Sequence, residues 1–305
     1  MPLSPILGRV TETFLIQGRL IGSLELAQVR SLLTEHPEWS RYRLSRHLAT
    51  LWDWHSLSGQ LKDMAARTLL LKLERRGWIK LPVRRWASPN RMRHKWVPSS
   101  VRPVAQEPIT EPLATLQPLT FWEVSPPQGG EARVLFEALL HQHHYLSHRS
   151  PVGENLQYLV QDRAGRPLAC VLFGAAAWQC RARDQAIGWD AATRQRRLGY
   201  VTNNTRFLIV PWARVPHLAS HILGRIARRL SADWVCKYGH PIHLLETFVD
   251  PSRFQGTCYR AANWQPVGQT TGRTRQNKTM VAQAPPKAVW LYPLREDFRQ
   301  ALCAS

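Results

Sequence analysis

Apolar residues recur at helical spacing through residues 24–34, where Leu24, Val29, Leu32 and Leu33 gather toward one side. Ser40 is placed to cap a second helix that runs through Tyr42, Leu44, Leu48, Leu51 and Trp52. A polar break, Ser56–Gly59, separates it from a third helix over about 61–76, with Leu61, Ala65, Leu69 and Leu73 on its apolar face. The rest of that helix carries Lys62, Arg67, Lys72, Arg75 and Arg76, and Gly77 ends it as a left-handed cap. Trp78–Pro82 then alternates as a short strand. Three helices and a basic β-element are the plan of a winged helix-turn-helix, here over residues 1–86. In that plan the third helix enters the major groove, the wing touches backbone, and the five cations meet DNA. A plain three-helix bundle with a solvated basic face is the alternative.

Periodicity is lost over 87–118, where Pro89, Pro98, Pro103, Pro108, Pro112 and Pro118 punctuate a predicted linker anchored by Trp96 and Val101. From 119 to 275 the pattern is α/β (α+β). Strands are expected at Leu119–Val124, Leu156–Gln161, Leu168–Phe173, Arg206–Val210, Ile242–Val249 and Gln265–Thr270. Helices are expected at Ala132–His144, Leu218–Leu230 and Phe254–Trp264, with a polar, helical stretch at 179–198. Residues 276–305 read as a basic arm and a terminal strand or helix, the strand at Ala288–Tyr292.

Charge narrows the partners. Lys plus Arg is 41 against 21 Asp plus Glu, a formal net charge of +20. Polyphosphate is the usual partner of such a surplus, because each phosphate neutralised releases a counterion. DNA is therefore the expected partner, and no apolar run reaches the ~20 residues that a membrane-spanning helix needs. The start of the chain has no basic segment followed by a long apolar stretch, and the five Cys are scattered without a Cys-x-x-Cys pair. Both point to a reduced, cytoplasmic setting without a zinc ribbon.

Several constellations could carry chemistry. His141-Gln-His143-His144-Tyr145 resembles the metal-binding histidines and tyrosine of single-strand nickases, against the plainer reading of cationic residues at a helix C-terminus. Glu154, Asp184, Glu246 and Asp250 are the carboxylates that a metal-dependent nuclease or transposase would gather around divalent ions, His221 and His144 being the histidines to join them. Glu246 and Asp250 fall on one face of a strand, about 13 Å apart by strand rise. Asn203, Asn204, Arg206, Arg273 and Arg275 lie at expected strand ends or loops, as base and phosphate contacts, though Asn203-Asn204 equally suits a turn. Cys258 offers a thiol, with His221 as its base.

Phe207–Leu223, with Arg214, His217 and Ala219, resembles the phosphate-binding strand–loop–helix of the GNAT acetyltransferases. Glu246–Asp250, Tyr259, Asn263-Trp264 and Gly268 hold places comparable to its following strand, helix and strand. The resemblance implies a mixed sheet flanked by helices over about 119–270. It also implies a site at Val210–Ala219 whose amides would cradle the pyrophosphate of acetyl-CoA. His217 stands where that motif has glycine and Pro216 lacks an amide, so acetyl-CoA is not expected. A second resemblance spans nearly the whole chain. Leu168–Trp178, Arg183–Trp189, Asn203–Trp212, Leu218–Leu223 and Leu245–Trp264 are similar to the family of the A component of the Druantia anti-phage system, with relatives in insertion-sequence and transposase settings. It implies a DNA-binding or DNA-processing protein working with other defence-system or transposon proteins. A metal-dependent nuclease or transposase is the second reading and an N-acetyltransferase the third.

Overall fold

The computed structural model describes residues 13–16, 19–83, 106–126, 130–272 and 285–304, in two compact units, Met1–His94 and Lys95–Ser305. Arg273, Arg275, most of the expected basic arm and the first part of the expected linker lie outside the described residues. Among the described residues no helix is long and apolar enough to cross a membrane.

In the first unit, β1 (Phe14–Ile16) and β2 (Arg19–Ile21) pair antiparallel ahead of three helices, α1 (Ser23–Glu35), α2 (Arg41–Leu51) and α3 (Asp63–Arg75). The sequence gives no signal for so short a hairpin. Ser40 caps α2 as expected, its Oγ accepting from the Arg43 N–H at 3.2 Å. Leu26, Val29, Leu44, Leu48, Leu69, Leu70 and Leu73 interlock with Trp39, Trp52 and Trp54 in one core. The strand expected at Trp78–Pro82 does not form. Ile79 and Leu81 plug into that core instead, and the Leu81 N–H donates to Glu74, so the segment is a strap with no strand partner among the described residues. The wing is thus a correction for residues up to 83.

The second unit is a seven-stranded sheet in the order β3-β4-β5-β6-β7-β9-β8. The strands are β3 (Thr120–Glu123), β4 (Leu156–Gln161), β5 (Pro167–Ala175), β6 (Val201–Ile209), β7 (Leu244–Val249), β8 (Gln265–Gln269) and β9 (Ala288–Pro293). All neighbours are antiparallel except β6 and β7. α5 (Gly130–His143) packs on one face, where the Cys170 thiol lies against the Phe136 carbonyl. α8 (Leu218–Tyr238) and α9 (Thr257–Ala261) take the other.

The second half of the expected linker belongs to this unit. Ile109 is buried and forms a parallel bridge with Ala213, and α4 (Leu113–Leu116) follows. Residues 176–200, which join two antiparallel neighbours, are far longer than a hairpin needs. They form α6 (Arg181–Ile187) and α7 (Ala191–Arg197); α6 and Trp189 with α10 (Phe298–Cys303) make a separate apolar cluster on Val201, Leu244, Val289 and Leu291.

Gly256 caps α9 at φ +70°, and a Cβ there would stand 2.7 Å from the Trp290 ring. Gly256→Ala is expected to cost about 3 kcal/mol, from left-handed strain plus overpacking. Urea denaturation of the full chain checks it.

Candidate nucleic-acid interface

In the first unit α2 exposes one stripe, Tyr42, Arg43, Arg46, His47 and Thr50, at spacings of three and four residues. Arg43 lies over the Trp39 ring at 4.7 Å, and His36 stacks on that ring's plane at 3.8 Å. Arg46 and Arg67 of α3 flank the Tyr42 ring at 5.8 and 5.4 Å. His36, Trp39, Tyr42, Arg43, Arg46, His47 and Thr50 together line a surface depression. Neither Arg43 nor Arg46 forms a salt bridge with a carboxylate among the described residues. The cations expected on α3 divide: at about 100° per residue, Arg67 and Lys72 fall on opposite flanks of the buried Ala66–Leu69–Leu70–Leu73 face. Arg76 stacks on Trp78 at 5.2 Å, Arg75 is exposed, and Lys62 stands at the helix N-cap. The α2 stripe escaped the sequence reading, although its spacing was the available signal.

In the second unit β6 and β7 pair through only four registers, from Val201–Leu244 to Asn204–Thr247, and then diverge. β6 is five residues longer at its start than the sequence pattern suggests, so Asn203 and Asn204 sit inside the strand and are buried, not in a turn. The register against β5 shifts so that Phe173 faces Asn204 and Leu172 faces Arg206, leaving Thr205 as a bulge. Asn204 resolves the polar demand this creates. Its Nδ2 donates to Leu172 O and Arg206 O, and its Oδ1 accepts from the Tyr259 hydroxyl at 2.7 Å. The bulge also turns Arg206 onto the α5 face, opposite Asn204.

The four candidate carboxylates are dispersed. Glu246 is wholly buried, accepting from the Ala177 N–H at 2.7 Å and from Arg183 at 2.9 Å. Burial pushes its carboxyl up, opposed by that guanidinium. Arg183, also wholly buried, turns its other edge to Asp184, which further accepts from Trp189 and Arg194. One arginine therefore stands between the two acids, where a metal site would need an ion. Glu154 binds His240 Nε2 at 2.7 Å elsewhere. Asp250 falls past the end of β7, half-buried, bound to Ser252. Among the described residues no three His, Cys, Asp or Glu side chains form a metal-binding group.

The histidine run also diverges. His141 Nδ1 meets the Ser147 hydroxyl at 2.8 Å, His143 packs edge-on to Trp212, and His144 Nδ1 accepts from the Leu146 N–H. That last bond places the His144 proton on Nε2. Burial, then Arg206 and Arg253, lower the His144 pKa to about 4. Burial and Asp250 push the Tyr145 phenol up, away from a nucleophilic phenolate. His221 lies on α8 with its pKa lowered by burial and by Arg225 and Arg228, and burial raises the Cys258 thiol.

In the loop Arg214–Ala219 two backbone amides already donate within the chain. The Arg214 N–H donates to Ile109 O at 2.8 Å, the Leu218 N–H to Val215 O, and Pro216 has none. His217 takes the left-handed backbone, φ +63°, that the motif's glycine would adopt.

Arg183→Met is expected to destabilise the second unit by about 3–5 kcal/mol, since it leaves Glu246 charged and alone. Denaturation of the full chain, beside Glu246→Gln, checks it. The His144 ring is neutral when folded and protonates below about pH 6.5 when unfolded, so it lowers stability as pH falls from there to about 4. NMR titration should leave its ring signals unmoved down to pH 5.

Residues 72–282 match the family model described as Druantia protein DruA. No curated protein matches the chain. Solved structures similar to it include a spermidine N-acetyltransferase from Vibrio cholerae in complex with CoA and spermine, at 10% identity and TM-score 0.37, covering 58% of this chain and 95% of that one. Another is a nourseothricin acetyltransferase, at 11% identity and TM-score 0.28, covering 46% and 66%. The family match extends over more than half of the sequence, from the last turn of α3 to beyond β8, and the chain belongs to the Druantia protein DruA family.

Proposed function

We propose that this protein binds DNA in the service of anti-phage defence, as its family name suggests, or of a related mobile element. The observation that supports this best is the α2 stripe. Two arginines that form no salt bridge among the described residues stand on one helix face beside exposed Tyr42, in a chain of formal net charge +20. Guanidinium groups on a rigid helix suit phosphate oxygens, and the aromatic ring suits the sugar or base edge beside them. Arg67 extends the stripe onto α3, and Arg75 adds an exposed cation at that helix's end. Other proteins of the same defence system or element are the expected protein partners.

Phosphodiester cleavage at Asp184 and Glu246 gains no support from a site closed by Arg183. Acetyl transfer has the divergence of β6 and β7 in its favour; against it, the Arg214 and Leu218 amides already donate within the chain and Pro216 has none. Coenzyme A is expected to give no thermal stabilisation.

A gel-shift salt titration on a short duplex should show affinity falling steeply with salt. Arg43→Ala with Arg46→Ala should weaken binding across sequences and reduce the log–log salt slope by about 2, one phosphate contact each. Unchanged affinity and slope in that double variant would remove the stripe from the interface.

A further inference from the structure

Arg206 is an anomaly among the buried charges of the second unit. Arg183 and Arg194 reach carboxylates. Arg206, more than half buried, donates only to two carbonyls, Ser147 O at 2.9 Å through Nε and Thr205 O at 2.7 Å through Nη1. Among the described residues it forms no salt bridge with a carboxylate, and Nη2 has no hydrogen-bond partner. Taking a guanidinium out of water without a counter-charge is costly, and here a second cation, Arg149, lies close enough to oppose it further. Asp250, close enough to act on Tyr145 and Arg253, accepts from the Ser252 N–H and hydroxyl through one oxygen. Such a position is stabilised by an anion brought from outside.

The surroundings say which anion. Arg253 lies over the Tyr145 ring at 4.5 Å and over Phe254 at 6.0 Å, and the two rings are 5.5 Å apart. Tyr145 is 36% and Phe254 49% exposed, so flat apolar surface faces solvent beside the cations. The neutral His144, tilted against Tyr145 at 4.9 Å, carries its proton on Nε2 as a further donor. Phosphate alone needs no aromatic surface, and an apolar ligand needs no unpaired arginine. A nucleotide needs both, with its phosphate on Arg206 and Arg149 and its base on a ring or guanidinium plane.

We propose that Arg206, Arg149 and Arg253, with Tyr145 and Phe254, form a second nucleic-acid site, which holds a phosphate and an unstacked base of single-stranded DNA. Duplex DNA keeps its bases stacked and offers such rings no face, so this site selects strand state while α2 contacts phosphates. The inference rests on the DNA-binding reading but uses different residues, so the two can fail separately.

The test uses the full chain carrying Arg43→Glu and Arg46→Glu, which disables the α2 stripe, and a fluorescent twelve-nucleotide oligothymidylate. This protein should still bind the single strand, and adding Arg253→Ala and Phe254→Ala should weaken that binding at least tenfold. Both added positions are exposed, and thermal melting confirms the fold is kept. Photocrosslinks from a 4-thiothymidine oligonucleotide should map to Tyr145 or Phe254. Affinity untouched by the added substitutions, no single-strand binding without the stripe, crosslinks confined elsewhere, or coenzyme A displacing the oligonucleotide at lower concentration than a thymidine dinucleotide would each overturn the proposal. If instead the Arg43 and Arg46 substitutions alone change nothing, the α2 reading fails and this one stands.

Discussion

The second unit is organised by the point at which two parallel strands stop pairing. Four register pairs join β6 to β7, and beyond Asn204 and Thr247 the strands separate. Separation exposes backbone groups that a sheet would otherwise pair, and each buried one left alone is costly. Asn204 meets a similar demand at the Thr205 bulge, between β6 and β5, by donating to Leu172 O and Arg206 O while accepting from Tyr259. Thr247 adds its hydroxyl to the Asn204 carbonyl. The same bulge sends Arg206 to the α5 face. The polar residue that closes the fork and the cation that stays open are consequences of one inserted residue.

Buried charge is handled in two ways in this fold. Under the inserted helices α6 and α7 it is closed: Glu246, Arg183, Asp184 and Arg194 alternate in sign, and each acid accepts only from N–H donors. Such a network locates helices on a sheet, because removing any one member leaves a charge in low dielectric. It explains why acids that look catalytic in sequence are structural in place. Around Arg206 the charge is open: it donates only to carbonyls, and Arg149 lies close by. Closed networks fix a fold; open ones await a partner.

The secondary structure was largely legible because burial imposes a period. Leu156–Gln161 is predicted and found with identical ends, and Ser40 caps α2 as its chemistry requires. The misses share a cause. Trp78–Pro82 alternates as a strand would, but a strand needs a partner, and the core of the first unit takes Ile79 and Leu81 directly. Asn203-Asn204 has turn composition, yet a fork in a sheet needs the same amide that a turn does.

The spacing of apolar residues and the surplus of cations are local or summed properties, so the sequence by itself determined the α-helical first unit, the α/β second unit and an expected polyanionic partner. Which charges meet is a pairwise matter across long separations: Arg183 reaches Glu246 from 63 residues away, and Arg206 reaches Ser147 from 59. Only the tertiary structure decided that the first cation is neutralised and the second is left open, because the field at a side chain depends on neighbours the chain order does not name.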